Sequence, residues 1–317
     1  MDELENSERK LRKTLLVLVG ILVVMIFVVY ISVFPHVFFR DLAKTAKYFL
    51  GDASSTVTVS IANYVPTITS QYLNGGGSIT LTDNATKTIH VTATITDYNG
   101  CEDLDHATVA VYKIGTPCAS SGDNDNDNCY FASVPITCSL SNSYNLDKTF
   151  DLYYYADQTA QWKATIIPFD KTPATGLTYD TGAVTVNPLQ SLAVSALDYG
   201  TLQPGTKSSS PPDHTAIVTN TGNTPIDFNL SGTALTCSSG CIGSIPAENQ
   251  KYSLTVTTGF DTGGTALSSV TPAAAGANLA KRTQSADSTQ STYWQISVPN
   301  GVKGALTGFT TFSSKTP

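Results

Sequence analysis

Charge is scarce in this chain. Asp, Glu, Lys and Arg make up 14% of its 317 residues, and the balance is acidic, net −7 with 18 basic against 25 acidic groups. A clustered basic face is missing beyond the first fifty residues, which argues against nucleic acid, because phosphate binding needs such a face. Met is rare (two residues) and so is His (four). The four are His36, His90, His106 and His214. His90 and His214 fall on polar strand positions or strand starts, where a solvent-facing ring is the ordinary case. No Gly-x-Ser-x-Gly elbow, no His-Glu-x-x-His and no phosphate loop occurs, so the familiar catalytic signatures are excluded and no enzyme is expected. No Cys-x-x-Cys pair occurs either, which sets disulfides above zinc. The C-terminus carries no sorting motif and no apolar tail.

What is present begins with Leu15–Phe34, LLVLVGILVVMIFVVYISVF, twenty residues without charge, Asn, Gln or Pro. As a helix this run would be about 30 Å long, the thickness of a bilayer's hydrocarbon core. Arg9, Lys10, Arg12 and Lys13 precede it, the positive-inside signature. The expectation is a signal-anchor, with residues 1–14 as cytoplasmic tail, 15–34 spanning once and the rest outside the cell. A cleaved signal peptide fits less well, since the core is too long and no Ala-x-Ala-like site follows. A pilin-type leader wants an acidic residue early in the helix, and none lies between Leu11 and Phe39. A buried core helix is disfavoured by length and uniformity. Gly20 has Val24 at i+4, so a Gly-xxx-Gly pairing face is unsupported. Pro35 would end the helix. His36–Leu50 reads as an amphipathic juxtamembrane helix, at the headgroups or as a spacer, and 51–55 as a linker, so that 35–55 joins anchor to ectodomain.

Beyond the anchor the period changes from helical to two. Val57, Val59 and Ile61 alternate with polar residues, as do Ile89, Val91, Ala93 and Ile95, then Trp162, Ala164 and Ile166. Further strands are expected at Ala107–Ile114 and Phe150–Tyr155, with turns at Asn74–Gly77 and Asp97–Gly100. Short strands at this spacing predict an antiparallel sandwich over 56–188, interrupted by an insertion from Gly115 to Asn145. After Asn187-Pro188 a second sandwich is expected over 189–317. Its strands lie near Leu192–Val194, Thr215–Asn220, Ile226–Leu230, Tyr252–Val256 and Trp294–Val298. The fold class expected is therefore all-β, two tandem sandwiches behind one transmembrane helix.

All six Cys lie in this β region: Cys101, Cys118, Cys129, Cys138, Cys237 and Cys241. An even count confined to the exported part implies disulfides and an oxidising compartment. The first four allow three pairings. A nested one, Cys118–Cys129 inside Cys101–Cys138, is expected, with Cys237–Cys241 closing a small ring at a turn.

The run Asp123 to Asn128 spaces Asp123, Asp125 and Asp127 like the first half of an EF-hand loop. The match then fails, with Asn128 where Gly is wanted and Val134 where the bidentate Glu should stand. Two readings stay open. One is a looser calcium site in a β loop, helped by Asp97, Asn99, Glu102, Asp103 and Asp105. The other is a polar, solvated loop tip. No other cofactor is suggested. His106, beside Asp105, is a weaker metal candidate. Asn84-Ala85-Thr86 and Asn229-Leu230-Ser231 are glycosylation sequons, the first in a turn, the second inside an expected strand.

The segments DYGTLQPG (198–205), VTNTGNTPIDFNLSG (218–232), IPAENQKYSLT (245–255) and YWQISVPNGVKGALTGFTTF (293–312) resemble the immunoglobulin-like modules of tandem-domain surface proteins from archaea and small-genome bacteria. ITDYNGCEDLDHATVAVY (95–112) and AQWKATIIPFD (160–170) extend the likeness to the first domain. The resemblance implies immunoglobulin-like sandwiches and a structural or adhesive role at the cell surface, without catalytic residues. The expected partners are the lipid bilayer, other surface proteins or glycans, and copies of itself. A glycan- or protein-binding module with calcium-ordered loops, or an accessory subunit of an envelope or secretion complex, are the alternatives.

Overall fold

The computed structural model describes residues 2–33, 56–138, 142–172, 176–208 and 214–317. The end of the apolar run at Phe34, the expected juxtamembrane helix and the linker 51–55 lie outside these. Two compact units result, Met1–Ile61 and Ala62–Pro317.

The first unit contains one α-helix, α1 (Asp2–Val33). Its stretch Arg9–Tyr30 has a mean hydropathy of 2.7, long and apolar enough to cross a membrane. Leu15, Leu16, Val17 and Leu18, four successive residues that together point all the way round the axis, are all exposed. A helix that is apolar and exposed all round calls for an apolar solvent. Residues 56–66 form no strand, and Val57, Val59 and Ile61 are exposed. The strand expected there is thus corrected. Alternation alone does not make a strand when no neighbouring backbone offers a ladder.

The second unit is all-β, with five antiparallel sheets among the described residues. Its N-terminal lobe contains β1 (Thr67–Leu73), β2 (Thr86–Thr96), β3 (Leu104–Lys113), β4 (Cys129–Pro135), β5 (Ser143–Tyr153), β6 (Trp162–Asp170) and β7 (Tyr179–Asp180). They form two sheets, ordered β1-β2-β5 and β4-β3-β6-β7. Every second residue of β2 (Ile89, Val91, Ala93, Ile95) and of β6 (Trp162, Ala164, Ile166) enters one core shared by both sheets. The expected insertion 115–145 is in part a strand, since β4 pairs with β3 from His106↔Pro135 to Tyr112↔Cys129. Its five core-facing or half-buried apolar residues are too short a signal beside the Asp-Asn run to be read from sequence.

The C-terminal lobe contains β8 (Leu192–Val194), β9 (His214–Asn220), β10 (Asp227–Gly232), β11 (Leu235–Cys237), β12 (Ser244–Ile245), β13 (Gln250–Ser253), β14 (Thr265–Ala266), β15 (Ala273–Ala274), β16 (Thr289–Ile296), β17 (Leu306–Thr307) and β18 (Thr310–Lys315). Its sheets run β14-β13-β16-β9-β8, β15-β10-β18 and β12-β11-β17. Trp294, Phe228, Ile226 and Leu230 are the heart of a second core. The strand expected to reach Val256 stops at Ser253, and Val256 is exposed.

The three disulfides are Cys101–Cys138, Cys118–Cys129 and Cys237–Cys241, the nested arrangement and the small ring expected. Their Cα separations, 5.9, 5.6 and 5.4 Å, are ordinary for the bond.

Candidate functional site

The Asp-Asn run does not gather its carboxylates. Asp123 caps the turn before it, its Oδ2 accepting the N–H groups of Ala119 (2.8 Å) and Ser120 (2.9 Å). Those two N–H groups hold its carboxyl below the usual carboxylate range. Asp125 accepts from the Asp127 N–H (3.0 Å) and the Asn128 amide (2.9 Å). Asp127 faces the other lobe. Its Oδ1 takes the Lys281 ammonium at 2.6 Å and its Oδ2 the Gln284 N–H at 2.8 Å. The three carboxylates thus serve in capping, turn formation and lobe docking.

The docking seam is built from both sides. Gln284 Oε1 accepts the Asn126 N–H (2.6 Å), and Lys281 also donates to the Tyr155 carbonyl (3.2 Å). Arg282 donates to the Tyr154 hydroxyl (3.1 Å), and its guanidinium lies 5.2 Å from the Tyr155 ring centre. Asn223 is wholly buried, donating to the carbonyls of Ala156 (3.2 Å) and Asn187 (3.1 Å) and accepting the Leu189 N–H (2.6 Å). The TNTGNT segment noted in the sequence is thus a clasp. Asn220 closes its turn through Gly222 N–H and the Thr224 and Ala280 carbonyls, and Asn223 reaches across.

Carboxylates do meet elsewhere. Asp97, Asp103 and Asp170 each bring a ligand-type oxygen within 4.8 Å of the others. Their origin is the strand period. Asp97 follows Ile95 in phase with the core-facing row of β2, and Asp170 ends the core-facing row Trp162, Ala164, Ile166 and Pro168 of β6. Asp103 sits in the one-turn helix Cys101–Asp103, which Gly100 (φ 108°) starts and the Cys101–Cys138 bridge pins. Asp97 is fully buried; its Oδ1 accepts the Asn99 N–H at 2.7 Å. Its Oδ2 is buried without a hydrogen-bond partner among the described residues. Burial pushes its carboxyl up, and the Asp103 and Asp170 charges add to this against the Asn99 N–H. Asn63 donates to Asp170 Oδ2 at 2.8 Å, and Asn99 accepts the Tyr64 N–H at 2.5 Å. Asp105, in contrast, pairs with His106 at 2.7 Å, and the His106 ring stacks on Phe169. Two of the residues named as calcium helpers thus join the cluster. Asp170 was missed, although its phase in β6 was a readable signal.

A half-open cleft of about 840 Å³ lies in the C-terminal lobe, with Tyr199, Leu202, Leu235, Ile245, Val302 and Phe309 on its walls. Burial raises the Tyr199 phenol well above its ordinary value, and its hydroxyl lies 3.4 Å from Gln250 Oε1. Of the sequons, Asn84 is exposed in a turn (φ 49°). Asn229 is half-buried in β10, the middle strand of its sheet. His90 is exposed and pairs with Asp147 at 2.8 Å.

No protein-family model matches the chain, and no curated protein matches it.

Proposed function

We propose that this is a single-pass, membrane-anchored surface protein whose structural or adhesive role is carried by two immunoglobulin-like lobes held outside the cell. The carrying observation is the combination of α1, apolar on every side, with three disulfides confined to the β unit. An apolar span wants lipid, and stable disulfides want an oxidising compartment. The four basic residues ahead of the span set the N-terminus in the cytoplasm. The docking seam supports a structural role, because the two lobes then act as one stiff unit. Partners of this reading are the bilayer, neighbouring surface proteins or glycans, and further copies; no catalytic step is assigned.

Protease shaving of intact cells tests the topology. Loss of the β unit from the cell surface, with the tail before Leu15 protected, is the expected result. Protection of everything beyond residue 56 would place the lobes on the wrong side and remove the proposal.

The cleft supports a second reading, a binding module. Phe309 on its rim is 79% exposed, an apolar ring free to stack on a sugar face or an apolar side chain. Glycan-array binding by the intact protein that disappears in Phe309→Ala would favour this role, and an array without signal would count against the glycan form of it.

A further inference from the structure

We propose that Asp97, Asp103 and Asp170 form a calcium site at the point where the chain joins the N-terminal lobe. The three carboxylates come from three separate stretches, yet their oxygens lie within 4.8 Å of one another. Two of them extend core-facing rows, where the sheet register would otherwise put an apolar residue. Asp97 is the deciding group. It is fully buried, and its Oδ2 has no hydrogen-bond partner among the described residues. A buried carboxylate oxygen wants a donor or a cation. The described ion pairs supply neither for Asp97 nor for Asp103: Lys171, the nearest base in sequence, donates to the Glu102 carbonyl at 2.5 Å instead. A divalent cation would serve Asp97 and Asp103 and lie within reach of an Asp170 oxygen as well.

Calcium suits the set better than magnesium. The donors are hard oxygens on a strand end, a loop and a one-turn helix, an irregular arrangement. Calcium accepts six to eight oxygens in flexible geometry, whereas magnesium demands a near-ideal octahedron. Water completes the shell. The choice of calcium also rests on the extracellular reading above, since weak sites fill only where calcium is near the millimolar range. The existence of a cation site does not rest on it.

The site would also fasten the junction. Asn63 donates to Asp170 (2.8 Å), Asn99 accepts from the Tyr64 N–H (2.5 Å) and donates to the Ala62 carbonyl (3.4 Å), and the Tyr64 and Tyr98 rings meet edge-on at 4.8 Å. Residues 62–64 are therefore clamped by the same loop and strand end that hold the carboxylates. Filling the site would hold residues 62–64 against the lobe.

The test uses the full chain in detergent micelles, stripped with chelator and titrated with calcium chloride and, separately, magnesium chloride. Calorimetry should give one calcium per chain with a Kd of roughly 10⁻⁴ to 10⁻³ M, the range of extracellular calcium modules. The melting temperature should rise by several degrees at saturating calcium. Asp97→Asn and Asp103→Asn should each abolish both signals, and without calcium each should melt no lower than the stripped parent, because a like charge has been removed. No heat and no melting shift in the parent overturns the site. So does a calcium response that survives in both variants, or metal-free variants that melt well below the parent, which would make the carboxylates ordinary structural groups. An equal response to magnesium overturns the choice of calcium. Shaving of intact cells reads topology independently of these outcomes.

Discussion

Lys281 of the C-terminal lobe places its ammonium 2.6 Å from the Asp127 carboxylate of the N-terminal lobe, with both side chains largely buried, 19% and 10% exposed. This pair makes the low-complexity Asp-Asn run a structural contact. Removing one partner of such a pair leaves the other charge stranded, which costs more than the intact pair contributes. Lys281→Ala is expected to lower stability by about 3 kcal/mol, read as a lower urea midpoint. Adding Asp127→Asn should recover part of that loss, and a double-mutant cycle measures the coupling. Strict additivity of the two changes would show that the contact carries no energy of its own.

Gly222 reports on the same seam through shape. A Cβ at this position would stand 2.1 Å from the Leu189 carbonyl oxygen, which is backbone and cannot swing aside. Gly222→Ala should therefore push the lobes apart and destabilise by about 1–3 kcal/mol, the usual cost of overpacking. A second, separate unfolding transition is the signature to seek by calorimetry, since loosened lobes melt independently.

The disulfides should rank by the loop each closes. Sequence separations of 37, 11 and 4 residues for Cys101–Cys138, Cys118–Cys129 and Cys237–Cys241 correspond to about 4, 3 and 2 kcal/mol in the chain-entropy picture. Paired Cys→Ala replacements should lower the melting temperature in that order, scanned with the other bridges intact. A largest loss at the Cys237–Cys241 ring would contradict the entropic account.

Acid stability should depend on Asp227. Burial alone would raise its carboxyl, but the Ala277, Phe228 and Gly276 N–H groups and the Lys315 ammonium (3.2 Å) outweigh burial and hold it below 3.8. A carboxylate that is more acidic folded than unfolded stabilises the native state only while ionised. Its contribution is complete above the unfolded value near 3.8 and is lost as pH falls through the lower folded value. Asp227→Asn should therefore lower stability at neutral pH and flatten the acid limb of the stability curve. An acid limb identical to the parent's would remove Asp227 from that role.

Much of this architecture was legible without coordinates. Twenty uncharged residues imply a helix in an apolar solvent, because the backbone must bond to itself there. Period-two runs marked β2, β6, β9, β10 and β16, since the pleat turns each alternate side chain to one face. The nested disulfides are one of the three pairings the first four cysteines allow, the one expected, and both loops close at ordinary Cα distances. What failed had local causes. Val57, Val59 and Ile61 alternate but found no ladder, and β4 hid beside a polar run.

The sequence by itself determined the apolar helix, the β character of the rest and the turns, because each depends on residues close along the chain; it left three pairings for the first four cysteines. Only the tertiary structure decided which carboxylates meet. Asp123, Asp125 and Asp127 are neighbours that separate to three different tasks. Asp97 and Asp103 are joined by the distant Asp170 because the β3–β6 pairing sets Asp170 opposite Leu104, beside the turn that links β2 to β3. Spacing along a chain fixes what a local turn can gather, whereas long-range sheet register sets which charges must share a buried space.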